Sequence, residues 1–454
     1  MLLRAGLVTL VGWLTLLAQT APSHAQAPLA PGSVLNYRGT VEIRDRDASA
    51  TADKQFDLTI IVREIGSAGA QFDWIVDEQG PGGWPWIERF GKLSLNKERK
   101  PIGSGGPSLL CKHPLGESVV SLVPPLFAAP EALAMDATWT EGELEYEVKS
   151  RAKQGDYDTW QVEVRNSYGP KRNVSVEPIN SLVVANTERV FMGQGTEYQL
   201  QMRLTGRSEL SNEELTITES ASTALAALRE QLKRPVRSQS DEWNAAQREV
   251  LTKALPELGK QVTAGPFARI VKSALLDIDA QSAKAGALDG LTKRLQGATL
   301  PKFELRTLDG SQLGNDQLLD KTTVLHFWEY RDEPLKEPYG QIGYLEFLYG
   351  RHKKAGVAVY GVAVDSRLKG KNLEKTVIAG VRKLRTFMNL TYPIALDDGE
   401  LISKLGDPRT AGANLPMFLV VDRTGKIVHV HIGHYAVDQQ RGLKELDEVL
   451  NGLK

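Results

Sequence analysis

The chain has 454 residues, of which 41% are hydrophobic and 24% charged, so it is long enough for two or three cores at roughly 100 to 200 residues per domain. Its 55 Lys+Arg against 56 Asp+Glu leave a formal net charge of -1 with no long block of one sign, which excludes the basic stripe of a nucleic-acid or acidic-membrane binder. The seven histidines and six methionines are too few and too scattered for a metal-storage composition.

The first residues read as an export signal. Arg4 supplies a positive start, Leu7 to Ala18 is an apolar run, and Ser23-His24-Ala25 is an A-x-A-like cleavage site, so residues 1–25 are assigned to a signal peptide. The run is shorter than the roughly 20 apolar residues of a spanning helix. The expectation is a chain exported to the periplasm or another extracytoplasmic space, soluble after cleavage and without a transmembrane helix. Cys111 is the single cysteine, so no internal disulfide can form in that compartment.

Residues 26–219 are read as an antiparallel all-β domain. Segments such as Val34 to Ile43, Gln55 to Val62, Phe72 to Val76, Glu143 to Val148, Thr159 to Val164 and Tyr198 to Leu204 alternate or run apolar. Gly66-Ser67, Gly80-Pro81-Gly82-Gly83 and Gly169-Pro170 separate them as turns, and the sum is eight or more strands. Within this region Trp84-Pro85-Trp86 either closes the end of the β core or offers an aromatic surface to sugar, lipid or a partner. Cys111, in Leu109-Leu110-Cys111-Lys112-His113, is either a small buried strand residue or a reactive thiol next to a cation.

After Ile217 the period becomes helical. Leu225, Leu228 and Leu232, then Val250, Leu251 and Leu258, then Ile270, Val271, Ala274 and Ile278 form stripes, so residues 220–297 are read as a short helical bundle or linker. Pro235, Pro256 and Pro266 are expected to break or start these helices, with a capping box at Ser238 and Asp241. Residues 298–454 then alternate strand and helix, which predicts a largely parallel sheet with a final antiparallel hairpin around Asp422-Arg423-Thr424-Gly425. The fold class is multidomain: antiparallel β, a helical segment, and α/β.

In this last region Leu300 to Leu305, Leu308-Asp309-Gly310 and Val324-Leu325-His326-Phe327-Trp328 resemble the opening of the redoxin and TlpA-like thiol-disulfide oxidoreductases of the thioredoxin superfamily. Gly361 to Asp365, Tyr392 to Asp397 and Leu415 to Val428 are similar to later segments of that family, in the same order. The resemblance implies a thioredoxin fold and a Cys-x-x-Cys at a helix N-terminus, where the dipole lowers the first thiol's pKa. Counting forward from Trp328 puts that motif on Asp332 to Leu335, and counting back from the helix at Tyr344 puts it on Leu335 to Pro338. Neither register holds a sulfur, because no cysteine occurs between Lys112 and Lys454. Disulfide exchange passes through a mixed disulfide, and a carboxylate or amine cannot stand in for the thiolate.

The family likeness also implies that Pro416 is cis and that the backbone of Leu415 faces a groove for an extended peptide. The charged loop Glu329, Arg331, Asp332, Glu333, Lys336 and Glu337 is read as solvated, with cation binding or acid-base work as the alternative. His429 and His431 share a strand face, and a metal site there would need ligands beyond His434. No cofactor is expected, and no phosphate loop, nucleophile elbow or His-Glu-x-x-His is present. The expected role is therefore binding or scaffolding of a protein or peptide partner in the cell envelope. The alternatives are a thiol-disulfide oxidoreductase or peroxiredoxin-like activity moved to Cys111 or the loop, and an apolar-ligand carrier built on the β domain.

Overall fold

In the computed structural model, described for residues 27–43, 52–80, 82–113, 116–192, 197–329, 341–370 and 373–453, the period-two region forms β1 (Ser33–Ile43), β2 (Ala52–Gly66), β3 (Gly69–Gln79), β4 (Phe90–Asn96), β5 (Pro101–Ile102), β6 (Ser108–His113) and β7 (Gly116–Ser121). It continues with β8 (Thr138–Glu141), β9 (Leu144–Gln154), β10 (Tyr157–Asn166), β11 (Gly169–Glu177), β12 (Leu182–Phe191) and β13 (Glu197–Glu209). Eleven of these make one antiparallel sheet in the order β5-β4-β3-β2-β1-β13-β12-β11-β10-β9-β8, and β6-β7 is a separate hairpin. Chain neighbours are sheet neighbours almost throughout, and β13 returns beside β1 to join the two runs.

The sheet curls until its margins approach. Lys100, beside β5, places its Nζ 2.7 Å from Glu141 at the end of β8. Gly39 in β1 permits part of the curl, since a Cβ there would overlap the Phe56 ring on the neighbouring strand. One face is packed with Leu35, Phe56, Leu58, Phe72, Val162 and Leu200, and the hairpin and its following segment cover it with Leu109, Cys111, Val120, Leu122 and Phe127. Protein side chains thus occupy the surface that carriage of an apolar ligand would require.

Inside the same unit lies a buried ion pair. Lys54 Nζ donates to Glu78 Oε2 at 2.5 Å, to the Gly82 carbonyl at 3.2 Å and to the Leu110 carbonyl, while Glu78 Oε1 accepts from the Trp84 amide at 3.2 Å. Every ammonium donor is used, which is the condition for burying a lysine at 2% exposure.

The helical stretch starts earlier than its period suggests. The helix α1 (Asn212–Leu232) follows Ser211, which forms a capping box with Glu214, so the strand pattern stops at Glu209. The second box is Asn244 with Gln247 at the start of α2 (Ala245–Gln261), and not Ser238 with Asp241, which lie in the connection before it. Pro256 sits within α2 and does not end it. With Phe267 and α3 (Ala268–Leu295), whose first turns carry Ile270, Val271 and Ala274, these helices cover Val34, Ile61, Ile75 and Phe90 on the sheet's other face. Asp73, fully buried, lies 3.5 Å from Arg63, which also reaches Glu219 of α1 at 2.8 Å.

The chain divides into two compact units, Met1–Ile278 and Asp279–Lys454. The second contains β14 (Glu304–Thr307), β15 (Gln312–Gly314), α4 (Asn315–Leu318), β16 (Thr323–Trp328), α5 (Ile342–His352), β17 (Ala358–Val364), α6 (Glu374–Phe387), β18 (Ile394–Asp397), α7 (Glu400–Leu405), β19 (Met417–Val421), β20 (Ile427–Ile432) and α8 (Lys444–Gly452). Its sheet runs β15-β14-β18-β17-β16-β19-β20, with β16, β17 and β18 parallel and the other pairings antiparallel. Strands buried on both faces carry no alternation, which is why Val324-Leu325-His326-Phe327-Trp328 reads as an unbroken inward run. Burying each of Val324, Leu325 and Phe327, all at 0% exposure, contributes about 1.5–3 kcal/mol.

Candidate functional site

Parallel strands gather their carboxyl ends on one edge of a sheet, and ligands of open α/β sheets bind where neighbouring connections diverge there. In this unit the chain leaves β16 toward β17, while the connection from β18 returns to β19 on the far side of β16. The divergence is therefore between β16 and β19. Glu329 ends the first of these and Pro416 starts the second.

The Leu415-Pro416 bond is cis, as the family likeness implied, and the Pro416 carbonyl accepts the Gly433 amide at 2.8 Å. Leu415 is half-buried beside exposed Asn414. Across the opening stands Arg409. Asp407 grips it through Nε at 3.0 and 3.1 Å and Nη2 at 2.7 Å, and its Nη1 lies 3.6 Å from Glu329. The hydrogen bond from Arg409 to Asp407 holds the guanidinium above its usual pKa. Burial pushes the Asp407 carboxyl up, but the bonds from Arg409 outweigh it and leave the group below the ordinary range.

The same Asp-x-Arg grip occurs at the end of β17, where Arg367 Nη2 donates to Asp365 at 2.7 Å. At the end of β18 the fully buried Asp397 accepts the amides of Gly399, Leu401 and Ile402 at 3.0, 3.1 and 2.9 Å, which fixes the start of α7. All three parallel strands thus end on a carboxylate, two of them anchoring an arginine. The Asp-x-Arg spacing, present twice in the sequence, is the signal by which Arg409 is recognisable; its meeting with Glu329 depends on the fold.

The start of α5 is tied to the segment after β20. Gln341 donates from Nε2 to the Tyr435 carbonyl at 2.7 Å and accepts the Tyr435 amide at 2.9 Å. Beneath it the Tyr435 ring stacks on His431 at 3.7 Å and lies 4.9 Å from Phe418, which stacks on the fully buried His326 at 4.4 Å. His429 Nε2 and the Tyr435 hydroxyl are 2.9 Å apart. Burial lowers the pKa of both His429 and His431. The two histidines therefore flank a tyrosine ring, while His434 is exposed. Among the described residues, no group of three or more His, Cys, Asp or Glu is placed to hold a metal ion.

Asp332, Leu335 and Pro338, the positions that replace the two cysteines, lie outside the described residues, as do Arg331, Glu333, Lys336 and Glu337. The other residues singled out by the sequence are in the first unit. Cys111 faces Ser118 in the β6-β7 hairpin and is 4% exposed, the small buried strand residue of its two readings. Trp84 and Trp86 are likewise buried, at 2% and 5%, and form no aromatic surface. Their indoles are satisfied inside, Trp84 by the Ser108 carbonyl at 3.1 Å and Trp86 by Asp277 at 3.1 Å, an acceptor it shares with Trp243.

Residues 296–430 match the model of the AhpC/TSA family. No curated protein matches the chain. Among solved structures the chain is similar to a putative protein disulfide isomerase from Bacteroides thetaiotaomicron, at 21% identity over 35% of this chain and 89% of that one, with a TM-score of 0.27. It is also similar to a putative thiol:disulfide interchange protein DsbE from Chlorobium tepidum, at 19% identity over 35% of this chain and 98% of that one, with a TM-score of 0.27. A secreted disulfide oxidoreductase of Mycobacterium tuberculosis gives 18% identity over 36% of this chain and 98% of that one, with a TM-score of 0.26.

Proposed function

We propose, from the premise that the C-terminal region is a thioredoxin-like redoxin domain, that this chain is an exported cell-envelope protein whose domain binds extended polypeptide without exchanging disulfides. The observation that carries the reading is the absence of cysteine from Lys112 to Lys454, which removes both the attacking and the resolving thiol. Cys111, buried in the other unit's hairpin, offers no accessible replacement. The signal-peptide pattern at residues 1–25 supports export, and no helix among the described residues is long and apolar enough to cross a membrane.

In this reading the peptide lies along Leu415, at the divergence between β16 and β19, and pairs with its backbone. Glu329, at the end of β16, and Arg409, 3.6 Å from it, supply charge beside that divergence. The packed inner face of the large sheet argues for a partner role over carriage of an apolar ligand.

Binding of a fluorescein-labelled, reduced and carboxymethylated model polypeptide tests the proposal. The wild-type chain binds it, and Leu415→Pro, which removes the backbone donor at that position, weakens binding by about tenfold. Equal affinity in both proteins would refute the assignment of the groove.

A further inference from the structure

The sheet of the C-terminal unit parts between β14 and β18. Strands β14 and β18 pair only at Arg306 with Leu396 and at Thr307 with Ala395, and then they part. A groove of about 590 Å³ opens between them on the edge where the parallel strands end. Leu305 and Leu401 lie on its floor, and Lys302, Glu304, Asp398 and Lys404 stand around it.

The hydrogen-bond alternation of β14 shows which backbone groups face the opening. The amides of Phe303 and Thr307 point the other way, to Asn315 Oδ1 at 3.0 Å and the Ser311 carbonyl at 2.8 Å, while the Leu308 amide reaches the Ile394 carbonyl at 2.9 Å. In an antiparallel strand every second residue presents both its N–H and its C=O to the same neighbour. Glu304 therefore presents both groups to the groove. The Lys302 carbonyl points there too and meets Lys404 Nζ at 3.5 Å.

The strands part for a physical reason. Continuing the register of Arg306 with Leu396 sets Glu304 opposite Asp398, and like charges facing each other across a ladder are destabilising. Asp397, meanwhile, turns the chain away by capping α7. Arg306 pairs with Glu374 and Lys404 lies 2.7 Å from Glu400, which leaves Lys302 beside Glu304 and Asp398, so carboxylates outnumber cations in the lining by one. Glu304 and Asp398 stand on either side of an open strand edge, Asp398 also accepting the Glu400 amide at 3.1 Å, and the buried Leu305 and Leu401 lie between them.

We infer that this fork is a second strand-pairing site, which takes an extended segment of a partner polypeptide with a lysine or arginine set between Glu304 and Asp398. The partner's backbone continues the β14 ladder through Glu304. Its cation offsets the two carboxylates that keep the native strands apart, and its apolar neighbours rest against Leu305 and Leu401. The inference rests on the proposed function only in taking polypeptide as the ligand. The fork and the divergence at Pro416 share one edge of the sheet, separated by the widths of β18, β17 and β16, about 14 Å at the usual strand spacing.

The test uses the full chain and a short fluorescein-labelled peptide that alternates valine and threonine around one central lysine, with anisotropy and hydrogen exchange as readouts. The wild-type chain binds the peptide, prefers it to the version with a central glutamate, and shows slowed exchange at the Glu304 amide. Glu304→Pro, which removes the donor facing the fork and leaves the β14-β15 ladder intact, weakens binding by about tenfold. Glu304→Gln keeps the donor, loses the charge and weakens binding by about threefold, which separates loss of the site from loss of the fold. Leu415→Pro keeps the preference for the central lysine over the central glutamate, which Glu304 and Asp398 supply. Unaltered exchange at Glu304 in the presence of bound peptide, or equal affinity of wild type and Glu304→Pro, would overturn the fork. If only Leu415→Pro loses the peptide, the groove at Pro416 stands and the fork falls; if only Glu304→Pro does, the reverse holds.

Discussion

The two sheets of this protein solve the same problem, the pairing of strand edges, in different ways. In the first unit an antiparallel sheet of eleven strands stays paired through several bulges and brings its margins together at Lys100 and Glu141. The second unit's sheet of seven strands pairs β16 with β19 along all of β19, where the chain connections diverge, and parts between β14 and β18 through charge and a helix cap. In the first, the buried Lys54 uses its donors internally. In the second, charged groups collect at strand ends, Glu329 beside Arg409 and Glu304 across from Asp398. The larger sheet has a packed interior, and the smaller one keeps charged groups at its strand ends, where the proposed binding is placed.

Breaking the closed unit should give the largest effect. Lys54→Met leaves Glu78 buried without its cation and should cost about 3–5 kcal/mol of that unit's stability, measured by denaturant unfolding. The double variant Lys54→Met/Glu78→Leu should regain most of it; a loss below about 1 kcal/mol in the single variant would show that the pair is not the internal brace described. In the open unit, Asp397→Ala removes the acceptor of three amides at the start of α7 and should cost about 1–3 kcal/mol. Because α7 forms a wall of the fork, this variant should also weaken the lysine peptide, whereas Lys54→Met should not. Ser211→Ala, at the cap that ends the β region, should cost about 1 kcal/mol without touching peptide binding.

The smallest expected effect is a pH dependence confined to the second unit. Burial holds His429 and His431 below the ordinary histidine pKa of 6.5. The unfolded chain therefore takes up protons first as pH falls, so stability is full above about pH 6.5 and declines as pH drops through the folded values. His431→Phe should flatten that decline, as read from hydrogen exchange in β19 and β20 between pH 7.5 and 5.5, about one unit either side of the unperturbed value. An unchanged slope would show that these rings titrate as if exposed.

Much of this architecture was legible in the sequence because burial leaves a period. The unbroken run Val324 to Trp328 marked a strand covered on both faces, and the alternation from Val34 to Leu204 marked the antiparallel sheet. Pro416 and the missing cysteines could be read directly. The helix starts were displaced, because Ser238 with Asp241 matches the spacing of a capping box, yet the bonds form at Ser211 and Asn244. Arg409 beside Glu329 was not legible, since residues so far apart in sequence meet only through sheet order. The fork was hidden for the same reason: Glu304 and Asp398 oppose each other only once the register of β14 on β18 is known. Trp84-Pro85-Trp86 shows the converse limit, because a glycine-rich turn beside tryptophans reads equally well as surface or core until their indole partners are seen.

The proposed function requires a thioredoxin-like redoxin domain that does not exchange disulfides. Its most direct test is the rate at which the purified mature chain reduces insulin disulfides with dithiothreitol as electron source, alongside Cys111→Ser and an intact thioredoxin. The account predicts that wild type and Cys111→Ser both match the rate of buffer with dithiothreitol alone. A rate near that of the intact thioredoxin, abolished in Cys111→Ser, would contradict it and restore a thiol enzyme.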